Sequence, residues 1–354
     1  MYTKNAYSLA DLLAWTRQEL VLFAVIATVP ALVFDVLGQT WLRLPWLPIA
    51  LIGTAVAFII GFQNNATYDR LWEARKIWGG IVNASRGFGL MVQDFISDQF
   101  ASPPIRSAAE LEAERRQLID RHVAWLTLLR HALRQPRPWE RFLAHRTNRE
   151  WSRAIGVREH RHTVEEELAG CLGPAEMAEV LGKANPAAAL MALQSRHLQQ
   201  LRVRGAIEDF RHMEMAKLLL QLLDLQGRAE RIKNFPYPRQ YATLNSVLLW
   251  VFIVLLPFGV MPAFAEIGNQ FGSDDSAIGH WFVWASVPFA VIVMWVFHTM
   301  ERIGRVSENP FEGTSNDVPI TTMARAIEIE LRQGLGQDPA SIPEPIVASH
   351  HALT

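Results

Sequence analysis

The sequence contains one cysteine, Cys171, which excludes an internal disulfide framework and a cysteine-based zinc cage. It also lacks a glycine-rich nucleotide loop, a Gly-x-Ser-x-Gly elbow and a His-Glu-x-x-His helix. The common signatures of nucleotide, acyl-transfer and metalloprotease chemistry are therefore missing, and the chain is not read as an enzyme. A formal net charge of −1 gives no electrostatic reason to expect nucleic acid as a partner. There is no alternating strand pattern of useful length, and no internal repeat with the period of a solenoid. Charge itself is missing from particular places. Asp, Glu, Lys and Arg make up 19% of the chain but concentrate in roughly residues 63–240 and 299–340. With 50% hydrophobic residues overall, that segregation marks an integral membrane protein.

What fills the uncharged regions is four apolar runs, at residues 20–37, 46–62, 244–264 and 280–300. A helix needs about 20 apolar residues to cross about 30 Å of hydrocarbon, so the third and fourth runs suffice by length. The first contains Pro30 and Asp35, and the second ends early at Gln63. The run after Lys4 and Arg17 has no clean small-residue cleavage site and leads straight into the second run, so it is expected to be a retained span. Trp41, Trp46, Trp281, Trp284 and Trp295 suit interfacial anchoring. Basic residues gather at one set of span ends, with Arg70, Arg75 and Lys76, then Arg231, Lys233 and Arg239, then Arg302 and Arg305, while residues 266–279 have no Lys or Arg. The expectation is a multi-pass protein of the inner (plasma) membrane with the middle region and both termini cytoplasmic. The outer loops are mildly acidic, with Glu266, Asp274 and Asp275 against Arg43.

Between the runs the chain reads as helical. Ser107 and Glu110 have capping-box spacing, Pro136 and Pro138 end the helix that follows, and Asn185 with Pro186 starts another. A further helix is expected from about Ala206 to Lys233. The resulting division is residues 1–62 with two spans, 63–240 as a helical cytosolic domain, 241–300 with two more spans, 301–336 as a cytosolic segment and 337–354 as a disordered tail. The best metal-like cluster is Glu159, His160, His162 and Glu165 to Glu167. On a helix His160 and His162 point about 200° apart, so the cluster reads as a solvated charged face. Asp35 is expected to reach the headgroup region, and Pro257, Pro262 and Pro288 are candidate kinks in the last two spans.

The second span is the most informative, because its helical pattern continues without a breaker past Gln63, Asn64 and Asn65 to about Gln93. Within it Thr54, Phe58 and Phe62 recur every four residues and form one stripe, each step rising about 6 Å. Such a stripe around a symmetry axis makes an apolar constriction. On the residues alone, packing against lipid or another helix is the plainer reading.

Three segments carry a resemblance: GFQNNATYDRLWEARKIWGGIVNASR at 61–86, ERIKNFPYPRQY at 230–241 and ENPFEGTSNDVPI at 308–320. They resemble the bestrophin family, its bacterial branch most closely. The resemblance implies an all-α membrane protein with four transmembrane helices and a helical cytosolic domain, assembled as a funnel-shaped homopentamer around one pore. It implies passive permeation of anions such as chloride through an apolar neck, with a sodium-selective channel of the same fold as the alternative. From another class, a membrane-anchored sensor or scaffold competes. On this resemblance Thr54, Phe58 and Phe62 fall on the neck, Thr54 standing where an apolar residue is usual. Gln63 and Asn64 are expected to line the pore below it, with Phe210 or Met213 at the cytosolic exit. Arg70, Glu73 and Arg75 are expected to form ion pairs just inside the membrane.

Eukaryotic relatives carry a calcium clasp after the fourth span. Here Asn309, Pro310 and Phe311 match, but only Asn309 and Asp317 fall on ligand positions and Thr314 replaces a carboxylate. Calcium takes about 6 to 8 oxygens, several of them carboxylate, so the resemblance implies structural use of the segment against a neighbouring subunit without obligatory calcium or other cofactor. The expected partners are permeating inorganic ions, the bilayer and further copies of this chain.

Overall fold

Capping signals and apolar periodicity become helices along nearly the whole chain in the computed structural model, which describes residues 1–98, 107–140, 142–271 and 277–354. In chain order they are α1 (Leu9–Trp15), α2 (Arg17–Asp35), α3 (Trp46–Phe95), α4 (Ala108–Arg134), α5 (Arg146–Ile155), α6 (Val164–Leu168), α7 (Pro174–Leu181), α8 (Pro186–Val203), α9 (Asp209–Asn234), α10 (Arg239–Phe271), α11 (Ala277–Val306) and α12 (Ile320–Gly334). The described residues form no strand, only isolated bridges between Tyr2 and Ala352 and between Ser349 and Ala352. Ser107 and Glu110 form the expected capping box on α4, and the Asn185 side chain accepts from the Ala188 N–H to start α8. These contacts satisfy donors that the first turn of a helix leaves free.

Four described helices, or merged helical stretches, are long and apolar enough to cross a membrane. The protein is a membrane protein, and α2, the first half of α3, α10 and α11 make its bundle. Phe23 and Ala27 of α2, Val56 and Ile60 of α3, Leu249 and Ile253 of α10, and Met294 of α11 are buried together. A Cβ at Gly53 would lie 2.6 Å from the Phe252 ring, so glycine is what lets α3 and α10 approach there. Pro30, Pro257, Pro262 and Pro288 sit inside helices that continue through them.

Of α3's 50 residues, the second half leaves the bundle and becomes the central post of the helical domain. Ala74, Ile77, Trp78, Ile81, Phe88 and Val92 bury there against Leu118 and Trp125 of α4 and Leu222 of α9, with α12 alongside. The short second apolar run is thus the upper part of a rod about 75 Å long. Arg302, at the inner end of α11, links bundle and domain. It donates to the Trp15 carbonyl (3.0 Å), Glu19 Oε1 (2.9 Å), Thr147 Oγ1 (2.6 Å) and Asn148 Oδ1 (3.1 Å), and it stacks over the Trp15 ring.

Several expectations are corrected. In the Glu159 cluster His160, His162, Glu165 and Glu166 are exposed as expected, but Glu159 and Glu167 are not, because the chain there forms a short 3-10 turn and a new cap at Thr163 in place of one continuous helix. Glu159 is buried against Arg130 and Thr321, with Arg134 3.7 Å away, and Glu167 binds Arg130 (2.7 Å) and Arg158 (2.5 Å). Burial alone would raise the Glu167 carboxyl, but hydrogen bonds from His131, Arg130 and Arg158 and the Arg130 charge hold it far below the carboxylate range. Asp35 does not reach outward. It accepts from Trp284 Nε1 (2.8 Å) and lies 2.6 Å from His280 Nδ1, pinning α2 to α11. Residues 337–354 do not hang loose. The Thr354 carbonyl accepts from Thr322, the His351 carbonyl from Thr3, and Ser349 reaches the Ala154 carbonyl, so both chain ends lie on the side of the helical domain.

Candidate functional site

The faces of α3 follow from its pitch, since each residue turns about 100° from the last. Gly53, Val56, Ile60 and Gln63 lie on the face packed inside the subunit. On the other side Phe58 is 66% exposed and Phe62 70% exposed, large aromatic rings with little of their own chain around them. Thr54 shares this exposed face, and its hydroxyl donates to the Ala50 carbonyl one turn back (2.9 Å). The proton is thus used within the helix, and the side chain offers its methyl and a lone pair outward. The sequence stripe is therefore one continuous exposed surface, edged by Phe252 and Phe297 of the bundle.

Gln63 and Asn64 do not continue it. Gln63 is 3% exposed, and its Oε1 accepts from the Asn245 amide inside the bundle. Asn64 donates to the Met300 carbonyl (3.3 Å) and packs on Gly304 of α11, where a Cβ would lie 2.0 Å from its Oδ1. Adjacent in sequence to Phe62, they are rotated away from it by about 100° and 200°. The residues that stay on the face are Asn65 and Asp69, both exposed. Asp69 stands seven residues beyond Phe62, about 10 Å along the axis and about 20° off its direction. Towards the outer end Leu51, 63% exposed, occupies the same line. The 100° step contained this signal in the sequence, whereas adjacency did not.

Below the bundle the expected cluster of ion pairs resolves into separate contacts. Arg70 turns inward and donates to the carbonyls of Ile232 and Glu308, each at 3.1 Å. Glu73 pairs with Lys76 (2.7 Å), and Arg75 lies over the Trp72 ring. On the first turns of α9, Phe210 is 76% and Met213 54% exposed, so the structure leaves both available and does not choose between them. Of the acidic outer-loop residues, Asp274 and Asp275 lie outside the described residues.

Residues 11–333 match the family model of the Bacterial/Fungal Bestrophin protein. The chain belongs to the bestrophin family. Among relatives, the voltage-dependent anion channel-forming protein RSc3414 of Ralstonia nicotianae is 27% identical over 82% of this chain and 77% of its own length. The voltage-dependent anion channel-forming protein YneE of Escherichia coli K12 is 26% identical over 86% of this chain and 81% of its own. The fold is shared with the crystal structure of a bacterial bestrophin homologue from Klebsiella pneumoniae, at a TM-score of 0.70 and 22% identity over 90% of this chain and 98% of that one.

In this bestrophin the segment after α11 spends its polar groups on itself. Asp317 Oδ2 accepts from the backbone N–H groups of Gly313 (2.6 Å) and Thr314 (3.0 Å), and Arg134 stands 3.8 Å from it. Asn309 Nδ2 donates to Glu312 Oε1 (3.3 Å). Burial pushes the Glu312 carboxyl well above its ordinary value, with the nearby Asp317 and Glu140 charges adding to the rise. A calcium site needs several ionised carboxylates converging with about 6 to 8 oxygens. Here Asp317 is capped by amides and faces a guanidinium, so its oxygens are engaged within the segment. Among the described residues no group of three or more His, Cys, Asp or Glu side chains could hold a metal.

Proposed function

We propose that the protein is a bestrophin channel of the plasma membrane that passes anions such as chloride down their gradient. It works as a homopentamer in which five copies of α3 surround the pore and Thr54, Phe58 and Phe62 form its apolar neck. The observation that carries this reading is the placement of Phe58 and Phe62. They are among the most exposed large side chains of α3, on the half that crosses the membrane and on a helix whose opposite face is packed. A ring of such residues holds no ion tightly, so ions pass partly dehydrated and fast, and a small change in radius suffices to dewet it. The curated relatives' names refer to anion channels, which favours chloride over sodium. The pore then opens at its inner end past Phe210 or Met213. Both termini and the helical domain lie in the cytoplasm, as the basic span ends direct. The segment around Asn309 and Asp317 steadies the subunit contact without calcium.

The test is flux in liposomes. Phe58→Ala and Phe62→Ala should each change chloride flux several-fold with the assembly intact, and no change from either would favour a membrane-anchored scaffold. Reversal potentials in planar bilayers under a salt gradient decide the sign of the permeant ion. Chelation of calcium should leave the current unaltered.

A further inference from the structure

Three charged residues follow the neck within three helical turns of Phe62, and they are treated differently. Arg70 is turned into the domain and holds two backbone carbonyls. Glu73 is paired with Lys76 at 2.7 Å. Asp69 alone of the three is exposed, stands on the same face as Phe58 and Phe62, and has no hydrogen-bond or ion-pair partner among the described residues. The stretch before it, from Leu51 to Asn65 on that face, carries no charge of either sign. The first acidic or basic side chain beyond the aromatic rings is therefore Asp69, which none of the described residues pairs. The basic groups of α9, Arg228 and Arg231, act on Glu73, and Arg228 is paired with Asp224 at 2.9 Å.

We propose that Asp69 moderates the charge selectivity of the pore, a ring of like carboxylates at the inner end of an uncharged neck that weakens its preference for anions. The proposal rests on the reading that α3 lines the pore. Symmetry would repeat the carboxylate around the axis, where low-dielectric walls focus its field. The rise to Phe62 is about 10 Å, comparable to the Debye length at physiological salt, so the ring acts on ions leaving or entering the neck and not on distant ones. The apolar neck carries no charge of its own, and Asp69 places beside it a charge that opposes anions. A protein with this arrangement passes chloride less selectively than its neck would allow.

The experiment is reversal potential of the full-length protein in planar bilayers under a potassium chloride gradient. Wild type, Asp69→Asn, Asp69→Lys and Phe58→Ala are compared, each checked for unchanged assembly size. Asp69→Asn should raise the chloride-to-potassium permeability ratio about threefold or more, and Asp69→Lys further, with both shifts shrinking as salt rises. If Asp69→Asn and Asp69→Lys leave the reversal potential at the wild-type value while Phe58→Ala changes flux, α3 lines the pore and Asp69 does not set its selectivity. If Phe58→Ala is also silent, the pore reading itself fails.

Discussion

The two halves of α3 bury opposite kinds of residue. In the membrane half the packed face is small or medium, with Gly53, Val56 and Ile60, and the large rings of Phe58 and Phe62 are left outside. In the domain half the order reverses: Trp78 and Phe88 are fully buried, while Lys76 and Arg86 are exposed and paired with Glu73 and Glu330. One helix thus obeys ordinary inside-outside sorting where water surrounds it and departs from it where water does not. Exposed aromatic rings on the first half are no stability defect, because their surroundings are lipid, other subunits or the pore. Phe58 and Phe62 on that half are free to serve permeation, whereas Trp78 and Phe88 on the second half are committed to the fold.

The comparison breaks most sharply at Trp78. Trp78→Ala should cost about 3–5 kcal/mol of stability, read as a large fall in melting temperature of the detergent-solubilised protein. Phe58→Ala should shift it by less than about 1 kcal/mol while altering flux. Equal melting shifts would show that both halves sort alike. Next in size is Arg302→Met, which leaves Glu19 in the bundle without its guanidinium and should cost about 3 kcal/mol. Adding Glu19→Gln should restore part of that loss in the same melt.

Gln63→Leu against Asn65→Leu sharpens the assignment of faces. The first leaves the Asn245 amide unpaired and should cost about 1–3 kcal/mol. The second should leave stability near wild type and change conductance. A further effect appears in acid. His122 is stacked on Phe88 and bonded to Ser85 Oγ at 2.9 Å, and burial pushes its imidazole down to about 3. Since the unfolded imidazole takes its proton near pH 6.5, this contribution is complete above that pH and declines as pH falls from there towards 3. Its slope is at most about 1.4 kcal/mol per pH unit. Chemical denaturation between pH 6.5 and 5.5, above the range in which ordinary carboxyls titrate, should show a shallower slope for His122→Phe than for wild type.

The spans, the long second helix and the exposed Thr54, Phe58 and Phe62 stripe were legible because they depend on local period and apolar length. What escaped depended on angle or on distant chain. Gln63 and Asn64 are expected below the neck from their place in the sequence, and their partners, Asn245 and Met300, lie in later spans. Glu159 reads as solvated until Arg130, Arg134 and Thr321 are brought to it from elsewhere. Residues 337–354 have the composition of a loose tail, and their order comes from Thr322, Ala154 and the first residues of the chain. Composition cannot report such docking, because the enthalpy comes from the recipient surface.

α3 also carries a mechanical consequence. It has no proline beyond its first turn, it is held at mid-membrane where Gly53 meets Phe252, and its far end is clamped by α4, α9 and α12. A beam so supported transmits rotation with little bending. A tilt of about 5° over its length of about 75 Å carries one end about 6 Å relative to the other, more than the rise of one helical turn. Dilation of an aromatic aperture and rearrangement of the domain below it would then be a single motion, seen from two ends.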